Sequence, residues 1–126
     1  MKKKILELID RRKDEMIHFL QELVRVPSVT GQEGRAQKLI ENKLRSLNIE
    51  TEVWEPNVEE LRKHPAFFET TSFAKFGYKG RPNVVGRLRG DGKGKSLILA
   101  GHIDVVSPEP VSAWTYDPWS GEIVEG

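Results

Sequence analysis

His102 and Asp104 stand two residues apart in Leu97-Ile98-Leu99-Ala100-Gly101-His102-Ile103-Asp104, and their types and spacing suit a metal site. A neutral imidazole is a common ligand for zinc and related ions. In extended backbone, residues i and i+2 point to the same face, so the two side chains are expected to project together. A metal-bound histidine usually gives its second ring N–H to a carboxylate or carbonyl, which fixes the tautomer. Asp104 suits that supporting part, for His102 itself or through a neighbouring residue. His102 is therefore the candidate metal ligand and Asp104 the candidate catalytic residue. Gly101, lacking a side chain, is expected to let the backbone approach closely. His-x-Asp alone has low specificity, because a surface histidine beside an acid is the commoner arrangement.

The chain has no cysteine, so thiolate ligands and disulfides are excluded and a metal must bind through His, Asp or Glu. Absence of cysteine suits a reducing cytoplasm. The other two histidines, His18 and His64, have no motif around them and read as solvated. Twenty basic and nineteen acidic side chains nearly cancel, giving no reason to expect nucleic acid or an acidic membrane as partner. The apolar stretch Ile5 to Ile9 is too short and too charged for a signal peptide or membrane span. These features predict a cytoplasmic protein.

The elements that must position the pair follow from periodicity. Residues 3–25 predict one amphipathic helix, with Ile5, Ile9, Met16, Leu20 and Leu23 near the 3.6-residue repeat. The stripe thins at Arg12 and Lys13, and Pro27 stops it. A loop follows over 28–34. Thr30 and Glu33 have capping-box spacing for a second helix, whose buried stripe is Ala36, Leu39, Ile40, Leu44 and Leu47. Asn48 suits a left-handed stop. Residues 49–54 alternate as a strand.

Residues 56–82 are less regular, with one or two helical turns over 58–63. Phe67, Phe68, Phe73, Phe76 and Tyr78 are expected to pin this excursion onto the core, or in part to line a substrate cleft or a partner surface. Residues 83–89 predict a strand and the glycine-rich 90–95 a turn. Ser96 to Ala100 reads as an apolar strand buried on both faces. His102 and Asp104 would then leave its C-terminal end, where open α/β sheets place ligands. Residues 101–121 read as loop and 122–124 as a last short strand. Within that loop Trp114 and Trp119 are expected to pack it, with Asp117 capping a turn before Pro118. The chain is predicted to be an α/β layered domain, helices packed on a mixed sheet.

Longer context raises the specificity of the His-x-Asp. Arg81-Pro82-Asn83-Val84-Val85-Gly86 precedes it, and Gly101-His102-Ile103-Asp104-Val105-Val106 contains it. Trp114-Thr115-Tyr116-Asp117-Pro118-Trp119 follows. Pro27-Ser28-Val29 with Gly31-Gln32-Glu33-Gly34 adds to the set. Together they resemble the M20 family of metallopeptidases and deacylases, nearest the acetylornithine deacetylase and succinyl-diaminopimelate desuccinylase branch. The resemblance extends over essentially all 126 residues.

The resemblance implies the N-terminal part of a zinc-peptidase-like catalytic domain, with residues 1–126 as a partial metal-binding domain lacking the lid or dimerisation domain. It implies two zinc ions per complete site, cobalt as an alternative, with His102 as one ligand and Asp104 as its support. Substrates would be small N-acyl amino acids or short peptides. The bridging Asp, the Glu pair that includes the general base, and a distal His are placed by the resemblance after residue 126. The lone chain is therefore expected to bind zinc weakly or not at all, and whether it is an enzyme by itself stays open. It reads as an incomplete metal-dependent amide hydrolase. The alternatives are a truncated or split fragment that is either inactive or completed by a second chain, and an α/β binding module without activity. Without later strands, residues 96–100 would present an open edge.

Overall fold

The computed structural model describes residues 2–124 and divides into two compact units, residues 1–27 with 108–126 and residues 28–107. The α/β class predicted from the sequence is the class observed: helices pack against a two-stranded antiparallel sheet.

In the first unit, α1 (Lys2–Arg11) and α2 (Lys13–Val24) replace the single helix predicted over 3–25. The break falls at Arg12, whose backbone leaves helical values at φ −102 and ψ 7. No apolar side chain lies between Ile9 and Met16 to hold that turn against a neighbour, and three consecutive cations crowd it. The same unit holds a 3-10 turn over Val111–Ala113. Gln21 Nε2 donates to the Gly121 carbonyl at 2.7 Å and Arg25 Nε to the Ser120 carbonyl at 3.0 Å. Gly121 has φ +62, and a Cβ there would stand 2.9 Å from the Gln21 carbonyl oxygen, so glycine is required at this crossing. Residues 122–124, predicted as a strand, are irregular. As expected, Asp117 caps a turn: its Oδ1 accepts the Trp119 amide at 2.9 Å.

In the second unit, α3 (Gly34–Ser46) ends at Asn48, which takes φ 57 as its stop position predicts. Strands β1 (Glu50–Trp54) and β2 (Asn83–Arg87) pair antiparallel, Glu50 opposite Arg87 and Val53 opposite Val84. Helix α3 packs on both strands, with Leu44 and Ile49 closing over Gly86. Between the strands, α4 (Val58–Arg62) is capped by Asn57, whose Oδ1 accepts the Glu59 and Glu60 amides. α5 (Thr71–Phe76), not predicted, is capped by Thr70. Phe73 stacks between Phe67 and Tyr78, ring centroids 6.0 and 5.0 Å apart, so the aromatics of this excursion hold one another.

The predicted strand over 96–100 does not form. Leu97, Ile98 and Leu99 are 81%, 87% and 89% exposed. A strand buried on both faces needs neighbours on either edge and layers above and below. Among the described residues the sheet has two strands, and neither pairs with this segment. The apolar core is correspondingly small. Ala36, at 1% exposure, is the buried apolar residue among those described, and the other two buried residues are Ser28 and Glu33.

Candidate metal-ligand site

The segment carrying His102 and Asp104 is held from the side by residues 28–30. The Ser28 hydroxyl donates to the Ile103 carbonyl at 2.8 Å, and the Val105 amide donates to the Ser28 carbonyl at 3.0 Å. The Thr30 amide completes the pattern on the Val105 carbonyl at 3.3 Å, a parallel bridge between Val29 and Val105. Asp104 therefore lies on backbone that is anchored on both sides, although no regular strand leads into it. Small hydroxyl side chains suit this place, because a partly buried backbone carbonyl needs a donor and Ser28 supplies one in little space.

The predicted pair does come together. His102 Nδ1 lies 3.0 Å from Asp104 Oδ1 and 3.0 Å from the Asp104 carbonyl oxygen. Both neighbours are acceptors, so Nδ1 carries the proton and the Nε2 lone pair faces away from them. The His102 side chain is 84% exposed and that of Asp104 34%. The second carboxylate oxygen of Asp104 accepts the Thr30 hydroxyl at 2.8 Å. That hydrogen bond first, and the His102 contact next, outweigh partial burial and hold the Asp104 carboxyl below its ordinary range. A Cβ placed on Gly101 would meet nothing within 4 Å, so the close backbone approach expected there does not occur.

Two further residues were not singled out for this site by sequence. Glu33 is buried and receives both Nε and Nη2 of Arg81, at 2.9 and 2.8 Å. Arg81 Nη1 also donates to the Gly77 carbonyl at 2.8 Å. Burial opposes ionisation of Glu33, but Arg81 and the Gly31 amide together bring its pKa below the ordinary value. The capping box predicted for Thr30 and Glu33 is thus not formed. The Thr30 hydroxyl goes to Asp104, Glu33 goes to Arg81 and Gly31, and α3 starts without a side-chain cap. Glu33, Arg81, Tyr78, His102 and Asp104 share a cleft of about 200 Å³ with Gln37, Pro56, Pro82 and Asn83. Tyr78 is the ring of the aromatic excursion that reaches it.

His102 with Asp104 fits the chemistry of one imidazole ligand and its supporting carboxylate. It does not make a complete centre, since the described residues contain no cluster of three or more His, Cys, Asp or Glu side chains able to hold a metal. His18 and His64 are exposed and occupied locally, His18 3.6 Å from Glu22 and His64 accepting the Ala66 amide. A larger hollow of about 630 Å³ belongs to the other unit, lined by apolar residues such as Ile17, Leu20, Trp114 and Ile123.

No protein-family model matches the chain. Curated proteins do. The chain is 33% identical over 115 residues to a succinyl-diaminopimelate desuccinylase of Methylobacterium radiotolerans, 90% of this chain and 24% of that protein. It is 34% identical over 107 residues to the protein of that name in Methylorubrum extorquens, covering 84% and 23%. A third, from Cereibacter sphaeroides, is 34% identical over 105 residues, covering 83% and 22%. These relatives bear out the resemblance to the M20 family that the sequence carries. The chain spans about a quarter of the length of the curated relatives it matches. No helix among the described residues is long and apolar enough to cross a membrane.

Proposed function

We propose that this chain contributes one metal ligand, His102, and its supporting carboxylate, Asp104, to the centre of a metal-dependent amide hydrolase acting on N-acyl amino acids or short peptides in the cytoplasm. The observation that carries the reading is the Nδ1 contact of His102 with Asp104, which leaves the Nε2 lone pair facing outward to bind a metal. The name of the relatives, succinyl-diaminopimelate desuccinylase, supports a small N-acyl amino acid as substrate, and acetylornithine stays a candidate from the sequence resemblance alone. Residues 1–126 form part of the catalytic domain on this reading. Zinc is the expected ion, two per complete site, with cobalt as an alternative.

When bound, such a metal supplies Lewis-acid polarisation of the scissile amide. The chain's own residues do the positioning. Asp104 fixes the ring orientation of His102 and keeps the proton on Nδ1. The bridge between Val29 and Val105 holds the backbone on which both side chains stand. A catalytic zinc takes about three protein ligands and leaves one position open. The remaining ligands and the general base then come from residues other than those described, from further sequence or a second chain.

Zinc titration of the 126-residue chain by calorimetry tests this. Weak binding that His102→Ala abolishes is expected, with no hydrolysis of N-acetyl or N-succinyl amino acids. Submicromolar zinc affinity or turnover by the pure chain contradicts the incomplete site. Weak binding that survives His102→Ala removes His102 as the ligand. It would leave the alternative of a binding module without activity.

A further inference from the structure

The carboxylate of Asp104 is used at both ends. One oxygen faces His102 Nδ1 at 3.0 Å and the other accepts the Thr30 hydroxyl at 2.8 Å. A carboxylate with a single partner can turn about its bond to Cβ, because that torsion is broad. A second hydrogen bond from a fixed donor removes this freedom. Thr30 is such a donor, since its β-branched side chain has few rotamers and its backbone is bonded to Val105. The hydroxyl reaches the carboxylate from 74 positions earlier in the chain.

We propose that Thr30 is a positioning residue for His102: by holding Asp104 Oδ2 it keeps Oδ1 on His102 Nδ1, and so keeps the Nε2 lone pair directed outward. This rests on the reading of His102 as a metal ligand for its functional meaning, but the geometry it asserts exists without metal. Thr30 touches neither substrate nor ion and acts through Asp104. The chemistry requires the hydroxyl and not the methyl group of Thr30.

The test is the imidazole tautomer in the full 126-residue chain with ¹⁵N-labelled histidine, free of metal, at a pH where the rings are neutral. The His102 signal is assigned from its loss in His102→Ala. In the parent the Nδ1–H form dominates. Thr30→Val, nearly the same shape without the hydroxyl, is expected to lower the ratio of Nδ1–H to Nε2–H about threefold, since the Asp104 carbonyl oxygen at 3.0 Å still accepts from Nδ1. Thr30→Ser is expected to restore it. Circular dichroism checks that each variant is folded, and Thr30→Ala replaces Thr30→Val if the latter is not. An unchanged ratio in a folded variant without the hydroxyl overturns the proposal. So does a shift that Thr30→Ser fails to reverse, because the methyl group would then be responsible. Failure of the zinc titration, with the tautomer responding as stated, would instead overturn the metal reading and leave the role of Thr30 standing.

Discussion

Arg81 grips Glu33 through two nitrogens at 2.9 and 2.8 Å, with the two side chains only 15% and 8% exposed. Paired forks of this kind are the strong form of the ion pair, and removing one member leaves the other's charge in a poor solvent. Arg81→Leu or Glu33→Leu alone is expected to cost about 2–4 kcal/mol of unfolding free energy. The double variant is expected to cost less than the two single costs added together. Urea unfolding of the four proteins measures the coupling. Additivity within error would mean that the two side chains act independently.

The same pair sets an acid limit. The folded Glu33 carboxyl has a pKa below its ordinary value of 4.5, so unfolding takes up a proton where the two states differ. Its contribution to stability is complete above about 4.5 and is lost as pH falls through the folded pKa. Unfolding free energy is expected to decline with pH in that window. In Glu33→Gln the slope is expected to be shallower, from a lower plateau at neutral pH. Identical slopes in the two proteins would remove Glu33 as a source.

Gly34 opens α3 with its α-carbon pressed on another segment. A Cβ there would stand 2.6 Å from the Gly80 carbonyl oxygen, a backbone atom that cannot swing aside. In an exposed helix Gly→Ala ordinarily gains about 1 kcal/mol. Here Gly34→Ala is expected to lose about 1–3 kcal/mol, because overpacking forces a backbone shift. Gly90→Ala is the control, since a Cβ there meets nothing within 4 Å. Thermal unfolding of both variants decides the sign.

Leu97, Ile98 and Leu99 have no partner to lose among the described residues. Ile98→Lys is therefore expected to change unfolding free energy by less than about 0.5 kcal/mol. An exposed apolar segment with unpaired backbone is prone to associate. The parent chain is expected to show concentration-dependent self-association in sedimentation velocity, and Ile98→Lys to reduce it. A large stability loss would mean that the segment is packed.

Local pattern made much of this fold legible. The end of α3, the left-handed Asn48, both paired strands and the contact between residues 102 and 104 all follow from spacings of a few residues. What failed was whatever depended on distant partners. The apolar run 96–100 carries the composition of a buried strand, but burial requires other strands, and the run cannot reveal whether they are present. Thr30 and Glu33 have the donor and acceptor of a capping box. The same groups found better partners at Asp104 and Arg81, 74 and 48 positions away. Competition of this kind is invisible to a reading of neighbouring residues. The aromatic excursion was ambiguous for a similar reason: Tyr78 reaches the cleft and Phe73 packs its neighbours, although both belong to one cluster.

The contact of Ser28 with Ile103 closes a loop of 75 positions. Chain-entropy scaling puts the length-dependent cost of such a closure at roughly 4 kcal/mol. The contact between His102 and Asp104 spans two positions and carries no comparable cost. Imidazole and carboxylate can therefore meet in a partly folded chain, while their anchorage waits for the long closure. Hydrogen exchange at the Val105 amide, which donates across that closure, would time its opening separately from the rest of the molecule.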